Sequence, residues 1–171
     1  MTIRNRAIAL AVVAVLVALG VALWPRSQAA TVSRTQFALP ALQGNTTVDL
    51  SSYRGHPVVV DLFASWCDAC RSELPILASA SRQLTGKVTF IGVDSQDAGD
   101  GLGMAKSAGI SAWPLARDTG ASQSDYHDAL GIQGMPVTAF YNAQGMLVAT
   151  DAYALTAAEL RTKLADYFGI T

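Results

Sequence analysis

The chain has only two cysteines, Cys67 and Cys70, and both lie in the stretch VVVDLFASWCDACRSELPIL. The run VVVDLFA, 58–64, is nearly all apolar and of strand length, which predicts a strand buried on both faces. Asp61 interrupts that run and needs a reason to be there. From Cys67 to about Leu84 the pattern turns helical. Leu74, Leu77, Ala78 and Leu84 share one face, Gly86 suits the C-terminal cap, and Pro75 is expected to kink the helix. VTFIGV, 88–93, predicts a second buried strand. Strand, helix, strand at this spacing is a βαβ unit, hence a parallel pair joined by a right-handed crossover.

The rest of the chain supplies shorter elements. TTVDLSSYRGHP reads as a short strand and a turn, with Gly55 and Pro57 as punctuation. Within 97–118, GMAKSAG predicts a short helix and AWPLAR an extended piece. A further helix is expected over 123–130. VTAFY, NAQG and MLVAT read as strand, turn and hairpin partner. Thr156 with Glu159 forms a capping box that opens a last helix, whose apolar face is Leu160, Leu164 and Phe168.

The first 24 residues are different material. MTIRNR is short and basic, and the 7–24 run carries no charge. A helix of that length spans roughly 27 Å, against about 30 Å of hydrocarbon. Arg4 and Arg6 ahead of it predict a cytoplasmic N-terminus and an exported domain. A retained signal anchor at 1–24 is the favoured expectation. A cleaved signal peptide is the alternative, since SQAA at 27–30 offers small residues, although its apolar region is usually only about 7–15 residues long. Residues 25–36 then read as a linker and 37–171 as the domain. Either way the domain lies outside the cytoplasm, anchored to the membrane or secreted or periplasmic, where disulfide chemistry is possible.

Charge is unevenly placed. Four of the 12 basic residues lie at or before Arg34, and all 13 acids at or after Asp49, which leaves the domain at -5 (8 against 13). A mildly acidic domain without a basic cluster argues against nucleic acid as a partner.

Two cysteines at C-x-x-C spacing have three readings. A zinc half-site would need two more ligands, and His56 and His127 are each isolated. A structural staple would close a loop too short to constrain the unfolded chain. A redox-active dithiol fits best. The strand delivers Cys67 to a helix N-terminus, where free N–H groups and the dipole favour a thiolate, and Cys70 follows one turn in. C-x-x-C beside a βαβ pattern is a strong redox signal. No metal or cofactor is expected.

The segment around the cysteines resembles the active-site segment of thioredoxin-fold proteins, specifically the exported TlpA/ResA-like thiol–disulfide oxidoreductases. RGHPVVVDLFASWC is similar to the family's opening, and GMPVTAFYNAQG to its segment with a cis-proline. The resemblance implies an α/β thioredoxin-like fold, with a central mixed sheet flanked by helices. It implies that Cys67 attacks and Cys70 resolves. Trp66 would shield the dithiol, and Pro136 would be a cis-proline that sets the Met135 backbone beside Cys67 to pair with an extended substrate. Glu73 falls where ResA-like proteins have an active-site glutamate, though a solvated helix acid is an equal alternative. Asp61 falls where thioredoxin has a buried aspartate. A carboxyl held in an apolar strand has its pKa raised and can accept the proton of Cys70. A strand-end aspartate reaching water is the plainer reading.

The implied activity is reduction of disulfides in exported proteins, with cytochrome c maturation as one setting. The implied partners are exported protein disulfides or thiols and a membrane thiol donor or acceptor. A disulfide-forming oxidase is the alternative, because Asp68-Ala69 between the cysteines and Val137 after the proline depart from the family at positions that tune potential. A thiol peroxidase would need Pro-x-x-x-Thr/Ser-x-x-Cys, which DLFASWC lacks. A non-catalytic peptide-binding module would not need the whole set of Cys67, Cys70, Asp61 and Pro136.

Overall fold

A computed structural model describes residues 36–119 and 126–171. The proposed anchor at 7–24 and the linker up to residue 35 lie outside the described residues. The chain order is β1 (Ala38–Pro40), β2 (Thr47–Asp49), a 3-10 turn (Leu50–Tyr53), β3 (Val58–Phe63), α1 (Asp68–Gln83), β4 (Thr89–Ser95) and α2 (Gly101–Ser107). Then come β5 (Leu115–Asp118), α3 (Tyr126–Ala129), β6 (Val137–Tyr141), β7 (Leu147–Asp151) and α4 (Ala157–Phe168).

Five strands make one mixed sheet in the order β5-β4-β3-β6-β7, and β1 and β2 form a separate hairpin. β3 runs parallel to β4, as the βαβ pattern requires, and antiparallel to β6. β3 is central and buried at all six positions, because α1 and α4 cover one sheet face and the β1–β2 hairpin and α3 the other. Side chains alternate across a strand. Val59 and Phe63 therefore join the cluster under the helices, whereas Val58, Val60 and Leu62 join the opposite one.

α1 forms because Cys70, Glu73, Leu74, Leu77 and Ala78 recur at the 3.6-residue period and are all buried. Each fully buried leucine on that face contributes roughly 1.5–3 kcal/mol relative to exposure. The helix runs on through Pro75, and Leu84 rather than Gly86 is its C-cap. Gly86 supplies the left-handed turn two residues on, at φ 78°. The helix expected over 123–130 is described only as Tyr126–Ala129. α4 opens on the expected capping box: Thr156 accepts the Glu159 N–H, and the Glu159 carboxylate accepts the Thr156 N–H at 2.8 Å.

Candidate functional site

Sheet register collects the sequence-predicted residues at one end of the fold. β3 ends at Phe63, and the chain turns through Ser65 and Trp66 into Cys67. Leu62 pairs with Val137 in antiparallel register, so continuing that register brings Pro136 and Met135 to the same end. The Met135–Pro136 peptide is cis. β4 runs parallel to β3, with Phe63 beside Asp94, so Ser95 and Gln96 also emerge there.

Cys67 is the N-cap of α1 and is joined to Cys70, with the sulfurs 1.96 Å apart. The Cys70 N–H donates to Cys67 Sγ at 3.0 Å. This is the bond an N-cap side chain makes to a free amide of the first turn, and a thiolate at Cys67 would take the same bond more strongly. Cys67 is 4% exposed and Cys70 is sealed. Trp66 is 58% exposed and anchored at its edge, where the indole N–H donates to the Gln96 carbonyl at 3.0 Å. Met135 is half-buried and packs against the cluster that holds both cysteines.

Asp61 lies in the middle of β3 and is completely buried. By alternation it faces the helix side with Val59 and Phe63, the side that holds Cys70. Its cross-strand partner is Thr138. The Thr138 hydroxyl lies 3.4 Å from Asp61 Oδ2 and 3.2 Å from Glu73 Oε1. Glu73 Oε1 also accepts the Leu155 N–H at 2.9 Å. Glu73 is thus buried inside the protein and is not a solvated helix acid.

Burial, then the nearby Glu73 charge, hold the Asp61 pKa well above the usual carboxylate range, against the Thr138 hydrogen bond. Burial pushes Glu73 up to about 7, opposed by the Leu155 and Thr138 hydrogen bonds and reinforced by Asp151. One hydroxyl proton serves one carboxylate at a time. The arrangement can hold and release a proton near neutral pH on the sheet side that carries the cysteines.

Around the mouth, Asp97 accepts the Ser65 N–H at 2.7 Å and the Ser65 hydroxyl at 2.7 Å. The Arg71 guanidinium donates to the Ser65 carbonyl and lies 3.7 Å from the exposed Asp68 carboxylate. Asp94 is buried beneath Arg117 at 2.8 Å, and burial raises its pKa to about 7, with a hydrogen bond to Asp97 adding to the shift. No group of three or more histidine, cysteine or acidic side chains suited to a metal occurs among the described residues.

The sequence does not single out Thr138. Thr138 becomes visible only once β3 and β6 are in register. Glu73 stands three residues after Cys70 and four before Leu77, a spacing that fits the buried face of the helix.

A C-x-x-C disulfide at the N-terminus of a helix, fed by the central strand of a mixed sheet and set at the same sheet end as a cis-proline, defines a thioredoxin-like protein. The chain belongs to the AhpC/TSA family, whose model matches residues 32–150. It is 30% identical over 118 residues to the thiol:disulfide interchange protein DsbE of Pseudomonas fluorescens biotype C; the match spans 65% of this chain and 60% of that protein. Solved structures share its fold, among them the following two. A secreted Mycobacterium tuberculosis disulfide oxidoreductase homologous to E. coli DsbE has a TM-score of 0.64 at 23% identity, covering 78% of this chain and 97% of that one. The exposed lipoprotein thioredoxin of Streptococcus pneumoniae has a TM-score of 0.64 at 23% identity, covering 77% and 98%. No helix among the described residues is long and apolar enough to cross a membrane.

Proposed function

We propose that this chain is an extracytoplasmic thiol–disulfide oxidoreductase that reduces disulfides in exported proteins, cytochrome c precursors among them. The observation that carries the reading is Cys67 at the helix N-cap, with Cys70 sealed behind it on the helix face that also holds Glu73. The likeness to a thiol:disulfide interchange protein supports it. A peroxidase is disfavoured because DLFASWC lacks the residues that would activate a peroxide-attacking cysteine.

In the reduced protein the Cys67 thiolate attacks a substrate disulfide, forming a mixed disulfide and expelling one substrate thiolate. Cys70 gives its proton to the Asp61–Glu73 pair and attacks Cys67 Sγ. That step forms the Cys67–Cys70 disulfide and releases the second substrate thiolate. The substrate gains two electrons, the protein loses two, and a membrane thiol donor restores the dithiol. Trp66 covers the dithiol from one side, and the Met135 backbone before Pro136 pairs with the substrate chain.

The test is trapping. Cys70→Ser accumulates mixed disulfides with exported proteins, and Cys67→Ser does not. Equal trapping by both variants sinks the assignment of Cys67 as nucleophile.

A further inference from the structure

His127 stands outside the chemistry assigned so far, yet it is 2% exposed and its ring joins two segments that frame the cysteines. Nε2 lies 3.0 Å from the carbonyl oxygen of Gly134, the residue ahead of the Met135–Pro136 peptide. Nδ1 lies 3.0 Å from Gln96 Nε2, and the Gln96 backbone carbonyl accepts the Trp66 indole N–H. One polar chain therefore runs from Trp66 through Gln96 and His127 to Gly134.

The chemistry of the partners fixes its direction. A carbonyl oxygen only accepts, so Nε2 carries the hydrogen and donates to Gly134. Nδ1 faces the Gln96 side-chain amide at 3.0 Å and the exposed Asp128 carboxylate at 3.6 Å. The ends are built for this geometry. Gln96 holds φ 53°, a left-handed conformation no other non-glycine among the described residues adopts. Such a conformation costs a side-chain-bearing residue about 1–3 kcal/mol and persists where surrounding contacts over-determine it. The His127 backbone is tied down too. Its N–H donates to Asp118 Oδ2 at 3.1 Å, and Asp118 accepts the Ser95 hydroxyl at 3.1 Å. The ring is thus mounted on the ends of β4 and β5 and aimed at the segment that leads into β6.

We infer that His127, oriented by Gln96, is a positioning residue for substrate: it fixes the Gly134 carbonyl, and so the peptide edge through Met135 on which an extended polypeptide pairs opposite Trp66. This rests on the oxidoreductase reading above. Loss of the ring frees the Gly134 carbonyl and loosens the edge, which weakens recognition of a polypeptide more than attack on a small disulfide that has no backbone to pair.

The experiment compares insulin with hydroxyethyl disulfide as oxidised probes of the full chain, with dithiothreitol supplied as the reductant that restores the dithiol. His127→Leu lowers the preference for insulin, as a ratio of kcat/KM values, by about fivefold to tenfold, the effect of one buried hydrogen bond. His127→Gln places an amide N–H near the Nε2 position and recovers most of that preference. Gln96→Met, at an exposed position, lowers it in the same direction and decides the matter should His127→Leu fail to fold. An unchanged preference in both Gln96→Met and any folded His127→Leu overturns the inference, as does a His127→Gln protein no better than His127→Leu. If the unsubstituted chain reduces neither probe, the oxidoreductase reading fails first and takes the inference with it.

Discussion

Thr138 stands directly opposite Asp61 across the β3–β6 pairing, and its hydroxyl reaches both Asp61 and Glu73. Two carboxyl groups on different elements are thereby bridged by one side chain. Asp61 Oδ1 and Glu73 Oε2 are buried and have no hydrogen-bond partner of their own. Such a pair is costly when both members are ionised, so it favours holding a proton.

The first prediction concerns turnover. Asp61→Asn keeps the shape and removes the basic oxygen, so the mixed disulfide resolves more slowly. The loss is greatest near neutral pH and reaches about a hundredfold, the lower end of general-base effects. Single-turnover kinetics across pH measure it. An unaltered pH–rate profile would assign Asp61 a structural role only.

Thr138→Val tests the bridge itself. Its hydroxyl lowers the pKa of both carboxyl groups, so its loss raises both. The pH dependence of resolution should move to higher pH, with the fold kept because Val is nearly isosteric. A profile that stays in place would show that the bridge does not tune the pair.

Stability should depend on pH in an unusual sense. Glu73 and Asp94 have folded pKa values raised to about 7, and Asp61 is raised as well. Between their ordinary values and about 7 the folded state binds more protons than the unfolded state, so stability falls as pH rises through that window. Glu73 alone accounts for up to about 3 kcal/mol, at 1.36 kcal/mol per unit. Asp97 is shifted the other way, and its contribution is lost only below its ordinary value, outside the window. Oxidised protein should therefore melt higher at about pH 5.5 than at about pH 7.5, and Glu73→Gln should flatten the difference. Equal slopes for the two proteins would contradict the burial of an ionisable Glu73.

The βαβ unit, the hairpin and the last helix are legible in the sequence because each has local causes: apolar runs of strand length, a turn at Asn142 to Gly145, and the Thr156–Glu159 cap. The cysteine pair is legible for the same reason. The proton site is only half legible. Asp61 stands out as an acid in an apolar strand, but the residue that binds it to Glu73 lies 77 positions away and is brought there by strand pairing. His127 shows the same limit. An isolated histidine carries no local pattern, and its partners Gln96 and Gly134 come from segments placed by the sheet.

The reduction potential decides the direction of electron flow. A strong oxidant of this fold stabilises its attacking thiolate heavily, which favours the reduced form and raises the potential. Here Asp68 follows Cys67 directly in the first turn of α1, where its carboxylate competes for the same helix dipole and opposes a second negative charge. Arg71 works the other way: its half-exposed guanidinium donates to the Ser65 carbonyl at the mouth. It is shared with Asp68, however, which dilutes its effect on Cys67. On the same buried side, Asp61 and Glu73 oppose a thiolate at Cys70 whenever either is ionised. Asp68 and the buried acids thus disfavour a thiolate, and Arg71 alone favours one. The potential should then be more negative than about -180 mV, the value of protein disulfide isomerase. Redox titration of Cys67–Cys70 against glutathione measures it, and Asp68→Asn should shift it toward the oxidising side. A value near about -120 mV, that of a strong oxidant, would reverse the assignment and make this chain a disulfide-forming enzyme.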